Sequence, residues 1–198
     1  MTTESRLIYS VASSLDGYNT DANGEFAWAV PDEPVVASLI ADAESVSTFL
    51  YGRRMYETMA GWETDPTWAE GSPESANFAE LWKRAVKVVF SRTLTEVHTT
   101  RTRLEPELTG EAIKRALDEA AGDVTIEGPT LAAEAFRLGL IDVVELLICP
   151  IIVGGGMRAL PDAVHVDLTL TREKRFDNGM VQLSYETNPG RSTGTARA

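Results

Sequence analysis

Hydrophobic and polar positions along the chain follow two periods. Short apolar runs rich in Val, Ile and Tyr are typical of strands, and apolar residues three or four positions apart predict helices. In chain order the pattern predicts strand 6–13, helix 34–44, strand 47–52, a helix beginning near Arg53, helix 74–85, strand 86–91, helix 110–121, strand 123–127 and helix 129–139. Strands that alternate with helices predict a parallel sheet flanked by helices.

The C-terminal part of the chain has a different pattern. Residues 143–153, 165–176 and 180–187 are strand-like, no helical pattern separates the last two, and Asn178-Gly179 is a dipeptide typical of a hairpin turn. We therefore predict a three-layer α/β fold whose mixed, mostly parallel sheet has an antiparallel C-terminal edge. Residues 1–187 are expected to form a single domain, and the polar, small-residue segment 188–198 a disordered tail.

Composition narrows the class of protein. Thirty acidic residues against 18 basic ones give a net charge of −12, which argues against a general nucleic-acid or anionic-membrane binder. The single cysteine, Cys149, lies in an apolar run and is expected to be a buried small side chain. No apolar run is long enough to span a bilayer and the first residues lack a signal-peptide pattern, so we expect a cytoplasmic protein.

Two short segments match the spacing of known functional motifs, but the surrounding sequence does not support either function. Residues 154–159 match G-x-G-x-x-A, but Pro161 stands where the required helix should continue, so we interpret them as a loop between strands. Residues 190–194 match the nucleophile-elbow pattern within the polar tail, which we attribute to chance. His98 and His165 have no partner at metal-ligand spacing, and no metal is expected.

Two strand-to-helix junctions have the composition of anion sites. Gly52 permits a tight turn, and Arg53 and Arg54 add charge to the amide groups at the start of the next helix. In the second junction Gly128 allows close approach of a ligand, and Pro129 presets the first helical turn. Thr130 and Leu131 then supply free backbone donors and, in Thr130, a hydroxyl.

A third segment ends a strand inside a basic stretch. Ser91 and Arg92 lie within residues 83–103, which hold six basic residues and one acidic residue. For any one of the three segments taken alone, ordinary helix capping and solvated charge are the favoured interpretation. Parallel strands place their C-terminal ends on one rim, where ligands usually bind, so the three together favour an anion site.

The order of these motifs resembles a known family. The chain carries "SLDG" at 14–17, G-R-x-x-x-E at 52–57, "SR" at 91–92, "GPTL" at 128–131 and P-x-x-x-GGG at 150–156. In this order and spacing, over nearly the whole chain, they resemble the dihydrofolate reductase-like fold. The branch that they resemble most is the reductase domain of the riboflavin-biosynthesis deaminase-reductase.

The resemblance implies NADPH as the cofactor and assigns its contacts. The adenosine 2′-phosphate would be held by Arg53, Arg54, Ser91 and Arg92, and the pyrophosphate by Gly128, Pro129, Thr130 and Leu131. A guanidinium binds phosphate through two parallel hydrogen bonds, which favours NADPH over NADH. The remaining cofactor residues would be Val11 and Ala12, whose backbone would meet the nicotinamide, together with Gly52, Met55 and Glu127.

The substrate side is assigned by the same resemblance. Ser14, Asp16 and Gly17 would lie on the loop that covers the substrate, and Asp16 is the best polar candidate for a catalytic group. Asp-Gly is also a turn dipeptide, so a turn role for Asp16 stays open. A small heterocyclic or carbonyl compound is the expected substrate, with the pyrimidine ribosylamine of riboflavin synthesis as the named possibility. A non-catalytic nucleotide-binding relative is the alternative.

Two departures from the family pattern bear on the substrate and the cofactor loop. Val36 stands near the position where dihydrofolate reductases carry a carboxylate, with Asp32 and Glu33 at the helix start instead, which disfavours folate. Glu127-Gly128 replaces the usual glycine pair, whose peptide bond is typically cis. A cis peptide bond at this position would cost roughly 3 kcal/mol relative to the trans form.

Two further expectations concern contacts and assembly. Trp62 and Trp68, in an aromatic-rich insert, could border the pocket or an interface, or pack in the core. A homodimer is expected from the resemblance and from the apolar C-terminal strands, which a sheet edge would leave uncovered.

Overall fold

The computed structural model describes residues 4–188, which contain one eight-stranded sheet with helices on both faces. The strands are β1 (Leu7–Ser14), β2 (Val46–Gly52), β3 (Val86–Phe90), β4 (Thr102–Glu105), β5 (Asp123–Glu127), β6 (Val143–Cys149), β7 (Leu168–Arg175) and β8 (Val181–Thr187). Their spatial order is β4-β3-β2-β5-β1-β6-β8-β7. Strands β1 to β6 are parallel, and β8 runs antiparallel to β6 and β7. The predicted fold class is confirmed.

The described part of the chain contains six α-helices. They are α1 (Glu33–Ala43), α2 (Arg53–Met59), α3 (Gly61–Thr64), α4 (Pro73–Arg84), α5 (Gly110–Glu119) and α6 (Pro129–Arg137). Side chains of Asp32, Ser72 and Thr109 accept hydrogen bonds from the first turns of α1, α4 and α5. Gly52 and Gly128, which precede α2 and α6, supply no such cap. None of the helices in residues 4–188 is long and apolar enough to cross a membrane.

The two faces of the sheet carry separate cores. Alternation along β2 turns Leu50 toward α5 and α6, where Ile113 and Phe136 are buried. The same alternation turns Phe49 and Tyr51 toward α4, whose Trp82 is fully buried and donates from Nε1 to the Tyr51 hydroxyl at 3.0 Å. A smaller cluster packs α1 on β6 and the β7–β8 hairpin through Val35, Leu147, Cys149, Phe176 and Met180. The expected burial of Cys149 is therefore confirmed.

The structure differs from the predicted elements at an edge strand of the sheet and at the end of β6. Strand β4 was not predicted, because its sequence Thr-Arg-Leu-Glu is polar and only one of its sides pairs, with β3. Strand β6 ends at Cys149, and the apolar residues that follow belong to a loop. Trp62 packs against the α4 core and contacts Trp68 edge-on at 5.2 Å, so core packing accounts for much of this insert.

Candidate functional site

The three predicted anion junctions lie on neighbouring strands at one rim of the sheet. Gly52 at the end of β2 pairs with Phe90, the residue before Ser91. Tyr51 pairs with Glu127, the residue before Gly128. The fold therefore brings the segments beginning at Gly52, Ser91 and Gly128 together, as the sequence predicted, at the C-terminal ends of parallel strands.

Strand β1 has an open side at the same rim. It pairs with β6 through Ser14, but its pairing with β5 ends at Tyr9. The Arg6 carbonyl accepts a hydrogen bond from the first residues of β5, and the Leu7 carbonyl accepts one from the residue before β6. Along β1 the backbone N–H and C=O groups of successive residues therefore point alternately toward β5 and β6. By this alternation the backbone groups of Ala12 point to the β5 side, beyond Tyr9, the last residue of β1 that pairs with β5. Its carbonyl accepts a hydrogen bond from Asn19 Nδ2 at 3.1 Å instead.

The arginines predicted to bind phosphate differ in the hydrogen bonds and ion pairs that they form within the protein. Arg53 donates to Glu57 Oε1 at 2.7 Å and to Thr93 Oγ1 at 3.2 Å. Arg92 makes one exposed ion pair with Glu107 at 3.3 Å, which stabilises little. Arg54 is exposed and forms no ion pair within residues 4–188. Met55, next along α2, packs against the α4 core.

The Ser91 hydroxyl already has a structural task. It accepts hydrogen bonds from the amides of Thr93 and Leu94, at 3.2 and 3.0 Å, and so closes the turn that follows β3. A hydroxyl can also donate, so a phosphate contact through its hydrogen is compatible with this turn.

The start of α6 is open to a ligand. Gly128 has φ +94°, a conformation that favours glycine, and a Cβ there would meet no atom within 4 Å. Pro129 begins the helix, Thr130 is exposed, and Leu131 packs on the core. A Cβ at Gly52 would also meet open space. Every peptide bond in residues 4–188 is trans, including Glu127-Gly128.

Glu127 places a carboxylate at this rim. It is half-buried at the end of β5 on the side of the sheet occupied by Tyr51, and burial raises its pKa to about 7. An ionised carboxylate here also raises the pKa of Tyr51, although burial is the larger cause of that shift. Glu127 therefore changes charge near neutral pH, beside the predicted pyrophosphate contacts.

Asp16 ties two loops together. Its carboxylate accepts hydrogen bonds from the amides of Val153 at 3.1 Å and Gly154 at 2.8 Å. The Ser14 hydroxyl, followed by these amides, lowers the pKa of Asp16. The Gly17 amide also donates to the Ser14 carbonyl at 3.0 Å, so Asp16 lies in a turn, while a catalytic role for Asp16 stays a prediction.

The loop after β1 is also held at its far end. Gly17, at φ +89°, accepts a hydrogen bond from the Ala159 amide, and the Asn19 amide donates to the Met157 carbonyl at 2.7 Å. A Cβ at Gly156 would overlap the Thr20 carbonyl oxygen, so glycine is required for this close approach. The GGG segment is a loop, as expected from Pro161.

A cavity of about 340 Å³ lies beside this loop. Residues from the ends of β1 and β6 and from the loop after β6 line it, including Ser14, Gly17, Ile148 and Arg158. Val36 lies on α1 and does not line this cavity. A second cavity, of about 330 Å³, lies at the opposite rim around the Arg172 ion pairs with Asp42 and Glu145, away from every predicted site residue.

Asn19 is the site residue that sequence reasoning missed. Its side chain reaches the Ala12 carbonyl only because β5 ends before it, and no periodic pattern predicts that relationship.

Residues 4–188 contain no group of three or more His, Cys, Asp or Glu side chains arranged to hold a metal ion.

Known structures place this architecture in the dihydrofolate reductase-like class. Dihydrofolate reductase from Enterococcus faecalis, solved with NADP(H), superposes with a TM-score of 0.60 at 13% identity, covering 95% of this chain and 99% of that chain. A putative riboflavin biosynthesis protein from Shewanella sp. PV-4 superposes with a TM-score of 0.72 at 22% identity, covering 92% and 99%. At these identities the likeness shows the fold.

The family follows from sequence. The model of the RibD C-terminal domain matches residues 5–182, and the chain belongs to that family. The uncharacterized protein YyaP of Bacillus subtilis (strain 168) is 26% identical over 190 residues, covering 92% of this chain and 95% of YyaP. A deaminase/5-amino-6-(5-phosphoribosylamino)uracil reductase from Thermotoga maritima has a TM-score of 0.64 at 17% identity. That match covers 93% of this chain but 57% of the Thermotoga chain.

Proposed function

We propose that the protein is an NADPH-dependent reductase of a small heterocyclic or carbonyl substrate. The main support for this proposal is structural: the open side of β1 and the junctions after β2, β3 and β5 all lie at one rim of the sheet. Family membership supports the same conclusion, since the RibD C-terminal domain takes its name from a riboflavin-biosynthesis reductase.

The residues present fit the dinucleotide chemically. Helix α6 begins without a side-chain cap, so its first amides are free to bind the pyrophosphate. Arg54 and Arg92 are exposed cations on the side of β2 and β3, where the 2′-phosphate would lie. Open space above Gly52 and Gly128 leaves room for the cofactor backbone.

Bound NADPH would supply a hydride to the substrate, and the protein would supply position and exclusion of water. The Ala12 carbonyl faces the open side of β1 and would orient the carboxamide of the nicotinamide. Asp16, by holding the loop after β1 against the loop after β6, would keep the substrate side closed to bulk water. Glu127, with its pKa of about 7, would hold a proton beside the pyrophosphate at neutral pH.

The polarity of the substrate side argues against folate. Dihydrofolate reductases use a carboxylate on the first helix, and α1 offers Val36 near that position, with the Asp32 carboxylate engaged in capping the helix through the Val35 amide at 3.3 Å. A neutral ring or carbonyl compound fits this surface better. The pyrimidine ribosylamine acted on by the riboflavin-pathway reductases is the first compound to test.

The test is NADPH oxidation by the purified protein with a panel of the pyrimidine ribosylamine, small carbonyl compounds and dihydrofolate. We expect turnover with a member of the first two classes and little with dihydrofolate. Dihydrofolate turnover in the ordinary enzyme range of roughly 1 to 1000 per second would contradict the assignment. Tight NADPH binding without turnover would support the second candidate, a non-catalytic nucleotide-binding relative, which the occupied Ala12 carbonyl favours.

We also propose that the protein acts as a homodimer in the cytoplasm. Strand β6 lies inside the sheet, so its apolar character needs no partner. Strand β7 lies at one edge of the sheet, all eight of its residues are exposed, and Leu168 and Leu170 are 39% and 46% exposed. An edge strand with an unpaired backbone and exposed leucines invites pairing, which a second copy would satisfy.

A further inference from the structure

Asn19 lies where a primary amide of the cofactor would bind. Its Nδ2 donates to the Ala12 carbonyl at 3.1 Å, on the side of β1 that β5 leaves open. That carbonyl is the acceptor which the proposed function assigns to the nicotinamide carboxamide. An asparagine side chain and a nicotinamide carboxamide carry the same functional group, –CONH₂, with the same donors and acceptor.

We propose that the Asn19 side chain is an internal competitor of the nicotinamide carboxamide, which must rotate away from the Ala12 carbonyl before the nicotinamide end of NADPH can bind. This inference rests on the proposed function, because it concerns the same site. It adds a regulatory element: the affinity of the resting protein for the cofactor is set partly by the population in which Asn19 is turned away.

The backbone around Asn19 limits the movement to its side chain. The Asn19 amide donates to the Met157 carbonyl at 2.7 Å, and Tyr18 pairs with Arg158 in an antiparallel bridge. The Arg158 guanidinium also lies 5.2 Å from the centre of the Tyr18 ring. With the loop fixed on both sides, release requires a change of rotamer, and rotamer changes of part-exposed side chains are fast.

A fast equilibrium affects affinity through population. When only a fraction of molecules is competent to bind, the apparent dissociation constant rises by the inverse of that fraction. Loss of one ordinary hydrogen bond corresponds to about a two- to ten-fold change in an equilibrium constant. Removing the Asn19 amide should therefore tighten NADPH binding about two- to ten-fold.

The experiment is isothermal titration of wild type, Asn19→Ala and Asn23→Ala with two ligands, NADPH and adenosine 2′,5′-bisphosphate. Asn23 is exposed on the same loop and provides the matched control. The bisphosphate carries the adenosine end without the nicotinamide. We expect Asn19→Ala to tighten NADPH alone, and Asn23→Ala to leave both ligands unchanged.

A second readout uses the wild-type protein. The Asn19 side-chain NH₂ resonance, identified by its loss in Asn19→Ala, should shift on addition of NADPH and stay in place with the bisphosphate. NADPH binding that is equal or weaker in Asn19→Ala, with the bisphosphate still bound, would overturn the competitor role alone. Absence of NADPH binding to both wild type and Asn19→Ala would overturn the proposed function as well.

Discussion

Arg53 donates a hydrogen bond from Nε to Oε1 of Glu57 at 2.7 Å, one helical turn further along α2. The same guanidinium reaches Thr93 Oγ1 at 3.2 Å and so joins α2 to the loop after β3. Arg54, its neighbour, forms no ion pair in the described part of the chain. The two arginines of the G-R-x-x-x-E motif therefore have different positions in the structure: one braces the rim and the other is available to a ligand.

Arg54→Ala should weaken NADPH binding and leave NADH binding nearly unchanged. The expected loss is about 1.5–3 kcal/mol, or about 10- to 150-fold in the dissociation constant, because a charged hydrogen-bonding group is removed from the 2′-phosphate. Isothermal titration with both cofactors measures it. Arg84→Ala, an exposed arginine before β3 at the opposite rim, is the matched control. Equal losses for NADH and NADPH would indicate a structural role for Arg54.

The difference between Arg53 and Arg54 shows which features of the site can be predicted from the sequence and which cannot. Periodicity predicted the strands that end at Gly52 or just before Ser91 and Gly128, and parallel order then predicted that these ends would share a rim. The partners of individual side chains could not be predicted in this way. Asp16 is held by amides 137 and 138 residues away along the chain, and Asn19 reaches Ala12 only because β5 ends early. Such contacts depend on where strands end in space, which local patterns do not encode.

Asp16→Ala should loosen the loops that follow β1 and β6. The change removes the acceptors of the Val153 and Gly154 amides, so both amides should exchange with solvent faster. Hydrogen-exchange mass spectrometry of peptides covering 13–20 and 150–158 measures the effect. Asp162→Ala, an exposed carboxylate of the same cavity, should leave the exchange unchanged. Unaltered protection in Asp16→Ala would show that other contacts hold the loops.

Glu127→Gln should alter how stability depends on pH. The pKa of Glu127 rises from an ordinary 4.5 to about 7 on folding, because burial disfavours the charged carboxylate. Glu127 therefore favours the folded state most below about pH 4.5, and this contribution is lost as the pH rises through 7. Relative to wild type, Glu127→Gln should gain up to about 3 kcal/mol between these limits. Urea unfolding at about pH 5 and about pH 8 measures the gain.

The control for this pH effect is Glu96→Gln, which changes an exposed glutamate in the loop after β3. Its stability should follow the wild-type pH profile. Parallel profiles for wild type and Glu127→Gln would show that Glu127 is ionised in the folded protein throughout this range, and would remove the proposed proton beside the pyrophosphate.

Leu170→Glu should convert the proposed homodimer into a monomer. Leu170 is 46% exposed on edge strand β7, and a buried charge would oppose pairing of that strand with a second copy. Light scattering coupled to size exclusion should give wild type about twice the single-chain mass of 21.6 kDa, and Leu170→Glu the single-chain mass. Leu138→Glu, at a leucine 43% exposed at the end of α6, should remain dimeric. A wild-type mass of one chain across micromolar concentrations would show that β7 stands uncovered in solution, with its run of charged residues from Arg172 to Arg175 sufficient to prevent pairing.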